Sequence, residues 1–509
     1  MKTEPFSPVD AAWLHMDKPT NMAMIVGVMM FDSRIDFDRF LALVQERFLI
    51  YDRFRQRVKE PLLRLGLPHW EVDSNFDLDY HIQRVTLPAP GDEAALQHLA
   101  GDMMGVPLDP HRPLWQFHLV DGYGAGCAVI ARLHHCIADG LALVQVLLSM
   151  TDQSADAEWQ TPTPTPLKPK VKNGLLEPAA KALGTTFAVA EQMWHESLVT
   201  LSHPTRLIDA AKVGALGAIA LSKLLLLTPD RRTLFKGQCG VPKRATWSMP
   251  IKLHEVKAVA HTFNATINDV LLATVAGALR RYLEEHDDTI DGLNVRAMVP
   301  VSIRPQDQLN HLGNQFGLVI LSLPVGVREP IRRILTLKKR MDEIKNTPEA
   351  LVAFGLLGGM GVTPTQIEDV LLKFFAAKVS AVMTNVPGPR EPIYLAGEPL
   401  KRIMFWVPTP GNLSLGVSII SYAGEVIVGI ATDAGLVPNP DRLVAAFNDE
   451  FAHLQSWVKQ PATLSRKVAR KLPASIKKPL PLCQGVTKAG QACKNHALPK
   501  SKFCRVHQP

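Results

Sequence analysis

The chain has 509 residues, of which 47% are hydrophobic and 20% are charged, and these fractions are typical of folded globular proteins. Its length allows two or three domains, and six cysteines over such a length exclude a small disulfide scaffold. Residues 1–5 lack the apolar run of a secretory signal, so we expect a cytoplasmic protein.

The positive charge is concentrated at the C-terminal end. Residues 461–509 contain eleven Lys and Arg and no Asp or Glu, so the net charge of +8 leaves −3 on residues 1–460. This distribution argues against nucleic-acid binding by the body of the protein. An anionic membrane attracts such a segment by about 1 kcal/mol per basic residue near it. We expect peripheral association with the inner membrane or with lipid inclusions; a merely soluble tail is the alternative.

The first part of the chain predicts a domain over residues 1–160, with a helix over 38–57 and a strand over 128–133. Alternating prolines at 161–166 then indicate a linker, because this pattern favours extended backbone. A helical stretch over 176–227 follows, and linker and helices together occupy 161–240. Within it, residues 213–222 are uncharged, but ten residues are too few to span a bilayer.

The second half predicts another α/β domain over residues 241–460, followed by a basic tail over 461–509. Strand-like and helix-like segments alternate, which indicates layers of helices against sheets. The predicted strands are 295–299, 317–323, 381–384, 415–421 and 426–431, and the predicted helices are 268–285, 331–345 and 440–458.

A histidine-containing loop is the strongest chemical signal in the sequence. The stretch His134-His135-Cys136-Ile137-Ala138-Asp139-Gly140 follows the strand-like run 127–133 and precedes the helix-like run 141–148. Such a junction can direct a catalytic side chain into a cleft, and an imidazole with a pKa near 6.5 suits proton transfer. The simpler alternative is a core histidine and an Asp-Gly that caps the helix.

Several other motifs accompany this loop. They are Ser7-Pro8-Val9-Asp10, Pro113-Leu114-Trp115, Asn268-Asp269, Pro300-Val301-Ser302-Ile303-Arg304, Gly313-Asn314 and Thr384-Asn385-Val386-Pro387-Gly388-Pro389. With the H-H-x-x-x-D-G loop, they resemble the bacterial bifunctional wax ester synthase/diacylglycerol acyltransferase family over about residues 6–457. The resemblance implies an α/β fold of two chloramphenicol-acetyltransferase-like domains with mixed sheets and an active site in the cleft between them.

The resemblance also implies the chemistry. The reaction is acyl transfer from a fatty acyl-CoA co-substrate to a long-chain alcohol or a diacylglycerol, with no cofactor for catalysis. The second histidine of the motif, His135, is implied as the general base, and attack is direct, without an acyl-enzyme. We expect His134 to be a structural neighbour and Asp139 to orient the loop. Backbone amides near Gly140 are candidate oxyanion donors.

Three further residues are candidates for substrate contacts: Asn268, Asn385 and Arg304. Arg304 is also our candidate partner for Asp139. Each motif has a simpler structural reading: Asn268 would be a helix N-cap, Asn385 would begin a rigid turn, and Trp115 would fill a corner of the core.

The tail holds a possible structural zinc site. Its candidate ligands are Cys483, Cys493, Cys504 and His507, since three thiolates and an imidazole suffice for tetrahedral Zn²⁺. The spacing lacks a C-x-x-C pair, so unligated thiols are the alternative.

Two other functions remain open from the sequence. A metal-dependent hydrolase would use His134, His135 and Asp139 as ligands, although adjacent histidines on a strand point to opposite faces. A catalytically inactive lipid-binding or droplet-coating protein would keep the fold without the reaction.

Overall fold

The structure is a computed structural model that describes residues 3–61, 66–157, 217–304, 312–345 and 347–459. By its contacts the chain divides into a unit of residues 1–452 and a smaller unit of residues 453–509. The predicted linker at 161–166 and the basic tail lie outside the described residues. The domain boundaries proposed from the sequence therefore stay a prediction.

The strands of the described chain are numbered in order. They are β1 Glu4–Pro5, β2 Met24–Phe31, β3 Gln56–Lys59, β4 His69–Val72, β5 Ile82–Thr86, β6 Trp115–Tyr123, β7 Gly126–His134, β8 Thr151–Asp152, β9 Lys243–Trp247, β10 Ile251–Lys252, β11 Val295–Ser302, β12 Phe316–Leu323, β13 Ala381–Pro387, β14 Tyr394–Leu395, β15 Glu398–Pro399, β16 Arg402–Trp406, β17 Leu415–Tyr422 and β18 Glu425–Asp433.

The α-helices are numbered in the same way. They are α1 Pro8–His15, α2 Phe37–Leu43, α3 Leu78–His81, α4 Glu93–Met104, α5 Gly140–Ser149, α6 217–226, α7 Leu253–Thr262, α8 Ile267–Glu285, α9 Pro330–Lys345, α10 Glu349–Met360, α11 Thr365–Ala376 and α12 Pro440–Lys459. Within the described chain, none of the helices is both long enough and apolar enough to cross a membrane.

Two large mixed sheets form the framework. The first has the strand order β16-β2-β7-β6-β5, and every residue of its central strand β7 is buried. The second has the order β10-β18-β17-β13-β11-β12, with β9 also paired to β18. In this second sheet β13 runs parallel to both β11 and β17, whereas β17 and β18 form an antiparallel pair. Strands buried on both faces read as continuous apolar runs, which is why β7 was visible in the sequence.

The two halves of the sequence exchange strands. Strand β16, from the C-terminal half, pairs with β2 at the edge of the first sheet, with Met404 opposite Val28. The short β14 likewise pairs with β8 of the N-terminal half. Each half therefore completes a sheet of the other, which ties the two parts of residues 1–452 together.

Most predicted elements are confirmed within a few residues, but three expectations were wrong. The predicted helix 38–57 ends early, because a π-helical turn at Val44–Phe48 and a 3₁₀ turn at Asp52–Arg55 lead into strand β3. Asn268 is not an N-cap. Thr266 caps α8 in a capping box with Asp269. Asn385 does not begin a turn either, since it is paired with Ile419 inside β13.

Candidate active site

The histidine loop connects the first sheet to helix α5. His134 is the last residue of β7, and Asp139 is the N-cap of α5. Ala138 of the loop forms a parallel bridge with Gly313, just before β12 of the second sheet. Gly313 has a φ of +95°, a conformation that favours glycine. The loop is therefore held between elements of the two large sheets.

His135 lies against two aromatic rings. It stacks on Trp13 of α1, with ring centroids 4.1 Å apart and an interplanar angle of 20°, and its centroid is 5.5 Å from that of Phe316. The residue is only 4% exposed. Burial lowers the pKa of His135 to about 4, although the Asp139 carboxylate opposes this shift. The ring is therefore neutral at physiological pH and able to accept a proton.

Asp139 is bonded through both of its carboxylate oxygens. Oδ1 accepts a hydrogen bond from the Ala142 amide at 3.0 Å, which caps α5. Oδ2 accepts from Arg304 Nη2 at 2.6 Å and from the Gln315 amide at 3.0 Å. The predicted contact between Asp139 and Arg304 is thus present, and both side chains are buried. This arrangement suits Asp139 to holding the loop.

A buried hydrogen-bonded chain fixes the backbone of His135. Asp10 Oδ1 accepts from the Asn314 amide at 3.1 Å and from Asn314 Nδ2 at 2.7 Å. The same Nδ2 group donates to the His135 carbonyl at 2.7 Å, and the His135 amide donates to the Ala23 carbonyl at 2.8 Å. Burial raises the pKa of Asp10. Asp10 and Asn314 therefore hold the backbone that carries the imidazole.

His134 lies beside a different space. Its Nδ1 accepts from the Cys136 amide at 3.2 Å, and its Nε2 lies 3.8 Å from Asp17 Oδ2. His134 and Asp17 line a cavity of about 530 Å³ whose walls include Met22, Met24 and Leu114. His134 thus bonds within the loop and also borders a cavity large enough for a ligand.

Asn268 and Asn385 contact each other. Asn385 Nδ2 donates to Asn268 Oδ1 at 3.0 Å, and the Asn385 side chain is exposed. This bond leaves the Asn268 amide group as a potential donor. In the part of the chain that the structure describes, no hydrogen bond joins this pair to His135 or Asp139.

Gly140 borders a second, apolar cavity. A Cβ built on Gly140 would meet no atom within 4 Å. The adjoining cavity has a volume of about 120 Å³, and its walls include Phe117, Leu143, Leu147 and Ile403. Helix α5 therefore begins beside an apolar space.

Sequence reasoning assigned no role to the residues that position His135. Asp10 and Asn314 stood inside quoted motifs, but Trp13 and Phe316 were not singled out. A polar residue inside an apolar helix start, such as Asp10 after Pro8-Val9, was the available signal. His135 is separated in the chain by more than a hundred residues from each of these four residues, so only the fold reveals their contacts with it.

The candidate metal ligands fall into two groups. Cys483, Cys493, Cys504 and His507 lie outside the described residues. Over residues 3–459, apart from the undescribed gaps, no three His, Cys, Asp or Glu side chains are grouped so that they could hold a metal.

Comparisons with known proteins agree on one family. The protein-family model described as "Wax ester synthase/diacylglycerol acyltransferase catalytic domain" matches residues 6–271. A second family model, the "WS/DGAT C-terminal domain", matches residues 312–455. The "Probable diacyglycerol O-acyltransferase tgs1" of Mycobacterium tuberculosis H37Rv is 28% identical, covering 86% of this chain and 90% of that protein. The tgs2 protein of the same strain is also 28% identical, covering 89% and 98%.

Solved structures show the same fold. The wax ester synthase/diacylglycerol acyltransferase from Marinobacter aquaeolei VT8 superposes with a TM-score of 0.64 at 22% identity, covering 90% of this chain and all of that one. The first condensation domain of the calcium-dependent antibiotic synthetase gives a TM-score of 0.58 at 13% identity, covering 91% and 97%. The predicted chloramphenicol-acetyltransferase-like α/β fold is therefore confirmed.

Proposed function

Because the chain belongs to the wax ester synthase/diacylglycerol acyltransferase family, we propose that it transfers a fatty acyl group from acyl-CoA to a lipid hydroxyl, with His135 as general base. The acceptor is a diacylglycerol or a long-chain alcohol. The observation that carries this proposal is the neutral, buried imidazole of His135, held just after the end of β7 against the rings of Trp13 and Phe316.

The first step is attack by the acceptor hydroxyl. We assign proton acceptance to His135 Nε2, because Nδ1 is completely buried. As the proton moves to Nε2, the acceptor oxygen bonds to the thioester carbonyl carbon, and a tetrahedral oxyanion forms. A positioned base of this kind contributes about 10²–10⁴-fold.

The second step is collapse of the intermediate. The carbon–sulfur bond breaks, the CoA thiolate takes the proton back from the imidazolium, and the ester is released. For the oxyanion we propose two sources of donors: the first amides of α5 near Gly140, which have no intrahelical acceptor, and the Asn268 amide group. Arg304 acts through Asp139 by holding the loop, and its predicted contact with substrate stays a proposal.

An acceptor panel tests the activity. The protein is incubated with palmitoyl-CoA and either dioleoylglycerol or hexadecanol, and the release of CoA thiol is followed. We expect acceptor-dependent release with at least one of them. Release that requires neither acceptor would identify a thioesterase, and a folded protein without any release would support the inactive lipid-binding alternative.

Direct transfer is tested with labelled acyl-CoA alone. We expect no stable acyl-enzyme after rapid denaturation, because the hydroxyl attacks the thioester directly. A stoichiometric thioester on Cys136, or an ester on a serine, would instead establish a two-step mechanism.

We make two further proposals for the basic tail, residues 461–509. It tethers the protein to an anionic membrane or to a lipid inclusion through its basic residues, and Cys483, Cys493, Cys504 and His507 bind one zinc ion. Metal analysis of the full chain tests the second proposal, with a Cys493→Ser, Cys504→Ser variant as the control that should lose the zinc.

A further inference from the structure

Three neighbouring helices leave apolar side chains in solvent. The helices are α6, α10 and α11, and the side chains are between 41% and 81% exposed. A cluster of this kind on a protein surface is typical of a binding site, whereas single exposed apolar residues are not. We define the apolar face as Ile219, Leu226, Leu351, Ile367, Val370 and Phe374.

Lysine contacts join the three helices. Leu225 is near the end of α6, and its carbonyl accepts a hydrogen bond from Lys378 Nζ at 2.9 Å. The same Nζ lies 4.0 Å from the ring centroid of Phe374 in α11. Lys223 of α6 binds Glu349, the first residue of α10, at 2.5 Å. The apolar face is therefore built from adjoining helices.

Helix α11 is amphipathic. Ile367, Val370 and Phe374 follow one another at spacings of three and four residues, so they share one side of the helix. The opposite side buries Leu372 and Ala376. An amphipathic helix of this type can lie in the plane of a membrane interface with its apolar side chains inserted.

The charges around the face favour an anionic partner. Every carboxylate of α10 and α11 is paired with a basic group, and α6 contains no acidic residue. Lys373 of α11 is exposed and, among the described residues, takes no part in these ion pairs, so the outward charge of the helices is basic. Anionic phospholipid headgroups complement such a rim. The paired residues are Glu349 with Lys223, Glu368 with His15, and Asp369 with Lys18.

Helix α10 links the face to the catalytic histidine. After Glu349 it has no charged residue, and it packs against both α1 and β12. The approach is close: a Cβ on Gly317 of β12 would stand 1.8 Å from the Ala350 carbonyl oxygen. Helix α1 carries Trp13, and β12 begins at Phe316, the two rings beside His135.

We propose that the apolar face docks on an anionic phospholipid bilayer and thereby holds α10, and the helix and strand beside His135 that pack on it, near the membrane that contains the acceptor lipid. This inference rests on the proposed function, since it brings a buried base close to a water-insoluble acceptor. It places membrane contact on the folded body, in addition to the basic tail. Docking by the face depends on inserted apolar side chains, so it persists in salt that screens the tail.

The test uses the full chain with a triple variant, Leu226→Gln, Ile367→Gln and Val370→Gln. A control variant, Val72→Gln, Val241→Gln and Met249→Gln, changes side chains of similar exposure on other elements. Flotation with vesicles of phosphatidylcholine and phosphatidylglycerol is measured at 1 M salt, where the Debye length is about 3 Å. We expect the face variant to bind the vesicles at least about tenfold more weakly than the parent, because three apolar side chains no longer insert. The control variant should bind like the parent.

Two activity readouts separate docking from catalysis. With butyryl-CoA and hexanol, both soluble, the face variant should turn over like the parent. With dioleoylglycerol in vesicles, its turnover should fall in parallel with binding. Equal vesicle binding by parent and face variant would overturn the docking proposal. A parent that is a dimer in solution, and a face variant that is a monomer, would also overturn it, because the apolar face would then pair two copies of the chain. Lack of turnover in the parent with every acceptor would instead refute the proposed function.

Discussion

The His135 side of the site and the Asn268–Asn385 side are built in opposite ways. Around His135 the backbone and the neighbouring side chains are held by buried hydrogen bonds, from Arg304 to Asp139 and from Asn314 to Asp10 and the His135 carbonyl. Asn268 and Asn385 share a single side-chain hydrogen bond beside solvent. A buried network holds one geometry, because breaking it leaves unpaired groups, whereas an exposed pair can rearrange at little cost. We infer that the base is fixed before substrate binds and that the asparagine pair adapts.

Removal of the base should have the largest effect. His135→Ala is expected to lower kcat by about 10²–10⁴-fold, since a positioned proton acceptor is lost. His134→Ala, its matched control, should lose much less, because His134 supports the loop without accepting the proton. Turnover of both is measured with the preferred acceptor, and folding is checked by circular dichroism. More than a tenth of parental turnover in folded His135→Ala would rule out the base assignment.

Loss of Asp139 should act mainly on stability. Asp139→Ala leaves the buried Arg304 guanidinium without this partner, and we expect the free energy of unfolding to fall by about 3–5 kcal/mol. Asp92→Ala is the control, because Asp92 caps α4 from an exposed position, where loss of a cap costs about 1 kcal/mol. Urea unfolding compares the two variants. Equal losses would mean that Asp139 is only a cap.

Asn314 should affect turnover more than binding. Asn314→Ala removes the bond to the His135 carbonyl and the side-chain donor to Asp10, while the backbone amide of residue 314 remains, so a loss of about tenfold in kcat is expected. KM should change little, since Asn314 is placed to position the base. A variant that folds normally and keeps full kcat would show that the loop holds His135 without this chain.

The exposed pair should give the smallest effect. Asn385→Ala is expected to raise KM by about two- to tenfold, in line with the loss of one hydrogen bond, and to leave stability unchanged. Asn268→Ala should do the same and also lower kcat if its amide group binds the oxyanion. A large loss of stability in either variant would contradict the proposed difference between the two sides.

The sequence revealed the parts of the site that are local in the chain. The strand, loop and helix around His135 were predicted because apolar runs flank a short polar motif, and Asp139 lies where an N-cap is expected. The capping box of α8 was also readable, as Thr266 precedes Asp269 by three residues, but Asn268 was chosen instead. Arg304 was named only as a candidate partner for Asp139, because the two residues are distant in the chain.

Long-range contacts could not be read from the sequence. The stack of Trp13 on His135 and the exchange of β16 into the first sheet each join distant segments. The helix over 38–57 was overestimated, because tertiary pairing draws β3 into a sheet and the turns before it shorten the helix. Local pattern therefore identified the catalytic loop, whereas tertiary packing determined how it is held.

The pH dependence of kcat/KM tests the central claim most directly. Since burial lowers the pKa of His135 to about 4, the base is neutral above that value and becomes protonated, and inactive, only as the pH falls through it. We predict that kcat/KM stays level from neutral pH to about pH 5 and is halved near pH 4, with folding verified at each pH. A half-maximum near 6.5, the ordinary value for histidine, would contradict the buried, neutral base on which this account of the reaction depends.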